Sequence, residues 1–404
     1  MPYRTKNRRA SWSWRHPAFV VSPTGSATKA CPRSRTAVGH RIEDVRRPKK
    51  PALALAPDRM RILLTADPEL PVPPRLYGGI ERIIDMLARG LSARGHEVTL
   101  LAHPDSATDA ELMPWPGRVL GGRLRDLRNA RHLASAVRRG RFDLVHSFSR
   151  LAYLAAILPR RIPKVMTYQR AITPRTVRLA GLMAGETITF TGISDWMIEH
   201  VCSFGRWRVV PNGVRLSTYR FNSDPGPDAP LVFLGRVEEI KGPHLAIEMA
   251  HRTGRRLVIA GNIPNEHRVW VEAHVMPHVD GARVEFIGPV DDRRKSKLLG
   301  SAAAFLMPIL WEEPFGIVMA EAMACGTPVL GLRRGAVPEV VDDGVTGFVR
   351  DDLDALVGCV EQLGSIRRQD CRDRVERLYS EDAVVSGYLD IYREILDLSN
   401  RRLK

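Results

Sequence analysis

Short apolar runs and helical stretches alternate along this chain from Arg61 onward, in two successive sets. The apolar runs have the length and composition of buried β-strands. Between them, apolar residues recur at helical spacing, as at Ile80, Ile83, Ile84 and Leu87. The first set of predicted strands comprises Arg61–Ala66, Glu97–His103, Leu144–Phe148, Lys164–Tyr168, Thr187–Ser194 and Arg208–Pro211. The second set comprises Leu231–Gly235, Arg256–Gly261, Val284–Gly288, Ala304–Pro308 and Pro328–Leu332.

This alternation is typical of parallel sheets that carry helices on both faces. It predicts an α/β protein of two Rossmann-like, doubly wound parallel-sheet domains that face a cleft. Ligands of such sheets bind beyond the carboxyl ends of the strands. The predicted divisions are a basic extension at 1–59, an N-terminal domain at 60–212, a linker at 213–228, a C-terminal domain at 229–381 and a last helix at 382–404.

The positive charge is concentrated at the front of the chain. The whole sequence has a net charge of +16. Residues 1–59 carry 14 Lys/Arg against 3 Asp/Glu, whereas the remaining residues carry 47 against 42. A nearly balanced remainder argues against a nucleic-acid partner for the two domains. The extension lacks apolar periodicity, so we predict that it is disordered; alternatively, the protein starts at Met60.

Two glutamates, Glu313 and Glu321, lie eight positions apart around a predicted helix start. Eight helical residues place side chains about 80° apart, on one broad side of the element. Pro314 suits a first helical turn. Phe315, Gly316 and Ile317 then offer backbone N–H groups to an anion. Two carboxylates for hydroxyl groups beside an anion site are what a sugar nucleotide needs.

This segment resembles the Glu-seven-residues-Glu signature of the retaining glycosyltransferases of family four (glycosyl transferases group 1), which have the GT-B fold. Four other segments resemble motifs of that family, and the whole resemblance spans about 60–400. They are the Gly-Gly loop in Tyr77–Glu81, the Pro-Asn-Gly-Val turn in Pro211–Val214, the Gly-Arg…Lys-Gly donor segment in Gly235–Gly242, and the block from Gly335 to Phe348.

The resemblance implies that the C-terminal domain binds a nucleotide-sugar donor and the N-terminal domain binds the acceptor. Arg236 and Lys241 would hold the donor diphosphate and stabilise the charge of the leaving group. Glu313 would contact hydroxyls of the transferred sugar, and Glu321 those of the ribose. The predicted donor-binding set is Gly78, Gly79, Gly235, Arg236, Lys241, Gly288, Glu313, Phe315, Gly316, Ile317 and Glu321.

Three residues at strand ends of the N-terminal domain complete the predicted site. The resemblance implies a catalytic role for His146, together with Arg236, Lys241 and Glu313; alternatively, His146 is a packed or solvated strand-end residue. Tyr168 occupies a position where the family commonly has His. A tyrosine cannot act as a base at neutral pH, so Tyr168 and Arg170 are predicted to contact the sugar or the acceptor.

No metal or cofactor is predicted, because the acidic pairs lack the Asp-x-Asp arrangement of metal-dependent sugar transfer. A stretch from Arg123 to Arg139 combines six arginines with Leu124, Leu127 and Leu133. It is interpreted either as a helix that docks on an anionic membrane or as a solvated charged face. The expected location is cytoplasmic, with or without peripheral contact at the inner membrane face.

The predicted activity is therefore retaining transfer of a sugar from a nucleotide-diphosphate sugar to an acceptor, which is a glycan, a lipid or a small molecule. Two alternatives stay open. One is a GT-B nucleotide-sugar epimerase or hydrolase, and the other is a non-catalytic protein that binds sugar nucleotides. The identities of the nucleotide, the sugar and the acceptor do not follow from the sequence.

Overall fold

The computed structural model describes residues 59–74, 78–116 and 122–403. Two features of the sequence fall outside this part of the chain. They are the predicted disordered extension, apart from Arg59, and Tyr77 of the Gly-Gly loop.

The first sheet has seven strands, and all of their pairings are parallel. Its spatial order is β3-β2-β1-β4-β5-β6-β7. Chain order therefore reverses between β1 and β4, so the loops that leave these two strands diverge and open a crevice. The strands are β1 (Arg61–Thr65), β2 (Glu97–Ala102), β3 (Glu111–Pro114), β4 (Leu144–Ser147), β5 (Lys164–Thr167), β6 (Ile188–Gly192) and β7 (Trp207–Val209).

The second sheet repeats this arrangement with six parallel strands, in the order β10-β9-β8-β11-β12-β13. Its crevice lies beyond the ends of β8 and β11, because the strand order reverses there. The strands are β8 (Leu231–Leu234), β9 (Leu257–Ala260), β10 (Val284–Gly288), β11 (Ala304–Met307), β12 (Val329–Leu332) and β13 (Gly347–Arg350).

Helices connect the strands and cover both sheets. The first set is α1 (Gly79–Ala93), α2 (Gly122–Arg139), α3 (Pro174–Ala184) and α4 (Asp195–Ile198). The second set is α5 (Pro243–Thr253), α6 (Arg268–His274), α7 (Asp292–Gly300), α8 (Ile317–Ala324), α9 (Val337–Val340), α10 (Leu353–Gly358), α11 (Arg368–Leu378) and α12 (Glu381–Leu403). In the described part of the chain, no helix is long and apolar enough to cross a bilayer.

The α/β class and the two Rossmann-like sheets are confirmed, whereas two edge strands were not predicted. The strands β3 and β13 were missed because neither is a continuous apolar run: β3 (ELMP) is only partly buried, and β13 (GFVR) begins with glycine and ends with arginine. All predicted strands are present, with ends that differ by at most two residues. The central residues of these strands were predicted correctly because strands buried in a parallel sheet are continuous apolar runs, which are easy to recognise in a sequence.

The last helix, α12, packs on α1 against one face of the first sheet. Its buried stripe includes Val385, Tyr388, Tyr392 and Ile395, which share a core with Leu87 of α1. Other contacts also join the two halves. Arg82 of α1 forms an ion pair of 2.7 Å with Asp292 of α7. The carboxylate of Glu339 accepts hydrogen bonds of 2.9 and 2.6 Å from the first two N–H groups of α4.

Candidate functional site

Most of the predicted donor residues lie beyond the carboxyl ends of β8 and β11, at the crevice of the second sheet. Gly288 instead ends β10, Glu321 lies within α8, and Gly78 and Gly79 lie at the start of α1. Gly235 and Arg236 directly follow β8, and the loop to Gly316 follows β11. The two loops touch at Gly242 (φ 75°), where an added Cβ would lie 2.0 Å from the carbonyl oxygen of Pro308. Only glycine permits this approach, so the glycine sets how closely the two loops meet.

Lys241 and Glu313 form the centre of the site. Lys241 Nζ lies 2.8 Å from Glu313 Oε2, and both side chains are largely buried. Trp311 Nε1 donates a second hydrogen bond of 3.1 Å to the same oxygen. The ammonium also lies 4.6 Å from the centre of the Trp311 ring, a cation–π distance. The cation and the carboxylate therefore have fixed positions at the crevice.

The backbone before α8 is shaped by two glycines in the left-handed region. Gly316 (φ 75°) is the residue before the helix. Gly335 (φ 56°) lies against Glu313, whose carbonyl oxygen would be 2.3 Å from an added Cβ. The N–H of Met319 donates 2.9 Å to the carbonyl of Gly316. The N–H groups of Ile317 and Val318 precede it at the start of α8, where a helix end can bind an anion such as a phosphate. Phe315 contributes backbone to this turn, while its ring packs 5.4 Å from Tyr379.

Arg236 is held by a buried carboxylate that was not predicted. Glu238 Oε1 lies 2.8 Å from Arg236 Nη2, and Glu238 is 2% exposed. His267 Nε2 lies 3.1 Å from the other oxygen of Glu238. The contact with Arg236 is an ion pair without a hydrogen bond, because Glu238 Oε1 has no hydrogen-bond partner among the described residues. The buried charge still keeps the guanidinium at the crevice. Glu238 follows Arg236 by two positions, and this spacing could have indicated an acidic partner for the predicted phosphate-binding arginine.

Glu321 lies in a second polar cluster at the other side of α8. Its Oε1 accepts a hydrogen bond of 2.5 Å from the Tyr219 hydroxyl and one of 2.6 Å from Lys295 Nζ. Burial, and then the charge of Glu321, raise the pKa of Tyr219 far above its usual range, so this hydroxyl stays a donor. Lys295 also lies 3.3 Å from Asp292, which pairs with Arg82. None of these partners was predicted.

Glycines line the adjacent strand ends. The N–H of Gly261 donates 2.8 Å to the carbonyl of Gly288. An added Cβ on Gly261 would lie 1.7 Å from the carbonyl of Gly235. Gly235, Gly261 and Gly288 therefore form a surface without side chains at the ends of β8, β9 and β10.

The Gly-Gly loop faces α8 from the N-terminal domain. An added Cβ on Gly79 would lie 3.3 Å from Ile317 Cδ1, so the starts of α1 and α8 meet across the cleft. Gly78 is pressed against the carboxylate of Glu81, 2.7 Å from the position of an added Cβ. Burial raises the pKa of Glu81.

The catalytic role predicted for His146 is not supported by its position. The residue is 0% exposed. Its Nδ1 lies 2.5 Å from the Tyr392 hydroxyl and its Nε2 lies 2.7 Å from Thr167 Oγ1. Burial lowers the pKa of His146 to about 3. A neutral, enclosed imidazole of this kind ties α12 to the first sheet, and α12 covers this strand end.

Tyr168 and Arg170 follow β5, where the tyrosine packs against aromatic rings and the arginine is exposed. The Tyr168 ring lies 5.8 Å from Trp207 and 6.3 Å from Phe190. Among the described residues its hydroxyl has no hydrogen-bond partner. Burial raises its pKa, so it is not a base. Arg170 is exposed and lies near Asp67, whose pKa is raised to about 6 by burial and by Glu69.

In the part of the chain that the structure describes, no group of three or more His, Cys, Asp or Glu side chains is placed to hold a metal ion. The crevice instead brings together Arg236, Lys241 and the start of α8. Two cations and a helix N-terminus can bind a diphosphate, and two carboxylates can bind vicinal hydroxyls.

Two family models match consecutive parts of the chain. Glycosyltransferase Family 4 matches residues 77–218, and Glycosyl transferases group 1 matches residues 218–375. A phosphatidyl-myo-inositol mannosyltransferase of Mycolicibacterium smegmatis is 27% identical over 83% of this chain and 94% of its own. A D-inositol 3-phosphate glycosyltransferase of Xylanimonas cellulosilytica is 28% identical over 64% of this chain and 68% of its own.

The chain is also similar to solved structures of glycosyltransferases. A glycosyltransferase of avilamycin A biosynthesis is 26% identical with a TM-score of 0.63, over 83% of this chain and 98% of its own. A sucrose-phosphate synthase of Thermosynechococcus elongatus has the same fold, with a TM-score of 0.69 at 20% identity over 84% of this chain and 100% of its own. The two sheets and the crevice thus define an enzyme of the GT-B glycosyltransferase class. Within that class, the two models together cover residues 77–375, and the chain is a glycosyltransferase of the family-four type.

Proposed function

We propose that this enzyme is a retaining glycosyltransferase that takes a sugar from a nucleoside-diphosphate sugar. The observation that carries the proposal is the Lys241–Glu313 pair, 2.8 Å apart at the start of α8. A cation for a phosphate and a carboxylate for a sugar hydroxyl lie side by side there. In such a donor the anomeric carbon joins the phosphate to the sugar, so groups that bind the phosphate and the sugar hydroxyls are expected to be neighbours.

The diphosphate would bind between Arg236, Lys241 and the first N–H groups of α8. The leaving group gains negative charge as the glycosidic bond breaks. Cations fixed by Glu238 and Glu313 need little reorganisation to stabilise that charge. Arg236 offers a planar fork of donors, and Lys241 offers a compact charge that stays beside Glu313.

The ribose would bind at Glu321. Among the described residues, the hydrogen bonds to this carboxylate both go to Oε1, which directs Oε2 to a substrate hydroxyl. Tyr219 and Lys295 fix the orientation of the carboxylate. Because the side chain of Glu321 is already ordered, it can accept hydrogen bonds from the two hydroxyls of a diol with little further loss of conformational entropy.

The bond change would proceed on one face of the sugar. In this mechanism a donor phosphate oxygen removes the proton of the acceptor hydroxyl, the new glycosidic bond forms at the anomeric carbon, and the nucleoside diphosphate leaves. The protein supplies positioning and charge, and closure of the cleft excludes water. His146 has no part in it, because it is enclosed under α12.

The stereochemical test uses the donor that binds and methanol as a surrogate acceptor. A methyl glycoside does not mutarotate, so proton NMR of its anomeric signal reports the configuration of the product. Retention of the donor configuration supports the proposal, whereas the inverted glycoside contradicts it. Glu313→Gln is the negative control, and Glu272→Ala, an exposed residue of the same domain, is the matched control that keeps activity.

A further inference from the structure

A cavity of about 420 Å³ lies at the amino ends of β6 and β7 in the first domain. Its lining comes from the end of α3, from Ile188 at the start of β6, and from the loop that ends at Arg206, directly before β7. The crevices of both sheets lie at the opposite edge, beyond the carboxyl ends of the strands. The cavity is therefore separate from the predicted donor and acceptor contacts.

Glycines in the lining keep this cavity open. Gly181 lies on the same side of α3 as Arg178 and Leu182, which also line the cavity. An added Cβ on Gly181 would meet nothing within 4 Å. Gly205 (φ 99°) lies against the floor, where an added Cβ would be 3.1 Å from the ring of Phe190. A side chain at Gly181 would therefore occupy space that is open in the native protein.

The sheet side of the cavity is apolar. Phe190 and Ile188 are buried in the core of the domain, and the ring of Phe204 is half-buried beside them. Leu182 lines the cavity from α3 and is 75% exposed. An apolar cavity of about 150 Å³ can bind benzene, so this larger cavity has room for about two fused rings and a small head group. Its volume is also within the usual range for small-molecule sites.

Two arginines from different elements supply positive charge to the lining. Arg178 is exposed on α3, and Arg206 is half-buried in the loop before β7. Among the described residues, neither guanidinium forms an ion pair. Glu186 is the acidic residue of the lining, and the carbonyl at the end of α3, that of Ala184, accepts 2.7 Å from Thr187 Oγ1. Two cations against one acid favour an anionic ligand, since guanidinium groups bind such oxygens in pairs.

We propose that this cavity is a binding site for a small soluble aromatic anion. The rings of the ligand pack against Phe190 and Phe204, and its anionic head group binds Arg178 and Arg206. The cavity lies at the opposite edge of the sheet from the crevice, so its occupant is neither the donor nor the acceptor. This inference does not depend on the identity of the donor or on the stereochemistry of transfer.

The test is isothermal titration calorimetry of the full chain with three probes. They are 1-naphthoate, its uncharged counterpart 1-naphthamide, and acetate, which has the charge without the rings. We expect 1-naphthoate to bind at one saturable site and 1-naphthamide to bind about tenfold more weakly, because hydrogen bonds to an ionised group are stronger. Acetate should not bind measurably. No saturable binding of 1-naphthoate, or equal binding of the acid and the amide, overturns the proposal.

Gly181→Leu is the variant that fills the cavity. Leucine favours a helix over glycine, so the substitution should leave the fold intact. We expect binding of 1-naphthoate to weaken tenfold or more in this variant. The matched control is Gly358→Leu at the end of α10, where an added Cβ also meets nothing within 4 Å. This control should bind 1-naphthoate like the wild type.

Arg178→Gln tests the head-group contact independently of the filled cavity. Melting temperatures verify folding, and Arg283→Gln, exposed on the second domain, is the control. Binding of 1-naphthoate should weaken in Arg178→Gln and not in Arg283→Gln. Unchanged binding in both cavity variants overturns the proposal. Loss of binding in Arg236→Ala, with both cavity variants unaffected, would place 1-naphthoate in the donor crevice and also overturn it.

Discussion

Glu238 lies between Arg236 and His267, with one carboxylate oxygen 2.8 Å from the arginine and the other 3.1 Å from the histidine. This buried carboxylate joins the loop after β8 to the loop after β9, where His267 ends a short 3₁₀ turn. It holds the arginine before any substrate arrives. The donor site is thus built on partners that do not themselves contact the substrate in our proposal.

Removal of Glu238 tests this positioning role. We expect Glu238→Ala to raise the KM for the donor about tenfold, because Arg236 loses the charged partner that orders it. The effect on kcat should be smaller, and Glu238→Gln should restore part of the affinity. Steady-state kinetics measure the split between KM and kcat. Glu239→Ala, the exposed neighbour, is the control, and an equal effect of both substitutions would contradict the positioning role.

Lys241→Met should lower turnover by about a hundredfold or more, the usual loss when a charge that stabilises a leaving group is removed. It should also destabilise the fold, because Glu313 is left without its cation. Single-turnover rates and melting temperatures measure the two effects. Lys297→Ala, exposed on α7, should change neither. A rate like that of the wild type would exclude Lys241 from catalysis.

Tyr219→Phe should weaken binding of a nucleoside diphosphate about fivefold, since one hydrogen bond contributes about 1 kcal/mol. The substitution removes the hydroxyl that orients Glu321 and leaves the ring in place. Isothermal titration calorimetry measures the change. Tyr153→Phe, in the core of the first domain, is the matched control. Unchanged affinity in Tyr219→Phe would show that this hydroxyl does not prepare the ribose site.

His146 should give the stability a characteristic dependence on pH. Its folded pKa of about 3 lies below the reference value of 6.5, so the unfolded state takes up the proton first. Stability is therefore lost as pH falls from 6.5 towards 3, at up to about 1.4 kcal/mol per pH unit. In His146→Gln this loss should be absent, although the variant is less stable at neutral pH. Its kcat should match the wild type.

Urea unfolding at pH 7 and pH 5 measures the difference between wild type and variant. His251→Gln, exposed on α5, serves as the control and should retain the wild-type dependence. An unchanged dependence in His146→Gln would contradict the buried, neutral imidazole. A large loss of kcat in folded His146→Gln would restore a catalytic role.

The strands and glycines that shape the site were predicted from the sequence, whereas the side chains that hold the predicted site residues in place were not. Buried apolar runs reveal parallel strands, and glycines such as Gly242 and Gly316 mark places where backbone must approach backbone or adopt a positive φ. The fold class and the glycosyltransferase class are confirmed. The substrate roles of Arg236, Lys241, Glu313 and Glu321 stay predictions.

The side chains that contact these residues could not be predicted, because the contacts depend on packing between segments that are distant in the sequence. Tyr219 and Glu321 are 102 positions apart, and His146 and Tyr392 are 246 apart. The resemblance to the family implied a catalytic role for His146. It could not reveal that α12 covers that strand end and encloses the imidazole.

The most direct test of the donor site is a thermal-shift screen of the full chain against nucleoside diphosphates and their sugars. A ligand present at about a hundred times its Kd stabilises the folded state by about 2.7 kcal/mol. We predict a rise in melting temperature with one nucleotide base, lost in both Arg236→Ala and Glu321→Ala and kept in Arg283→Ala, an exposed residue of the same domain. No shift with any nucleotide, or a shift that both site variants retain, would contradict the account.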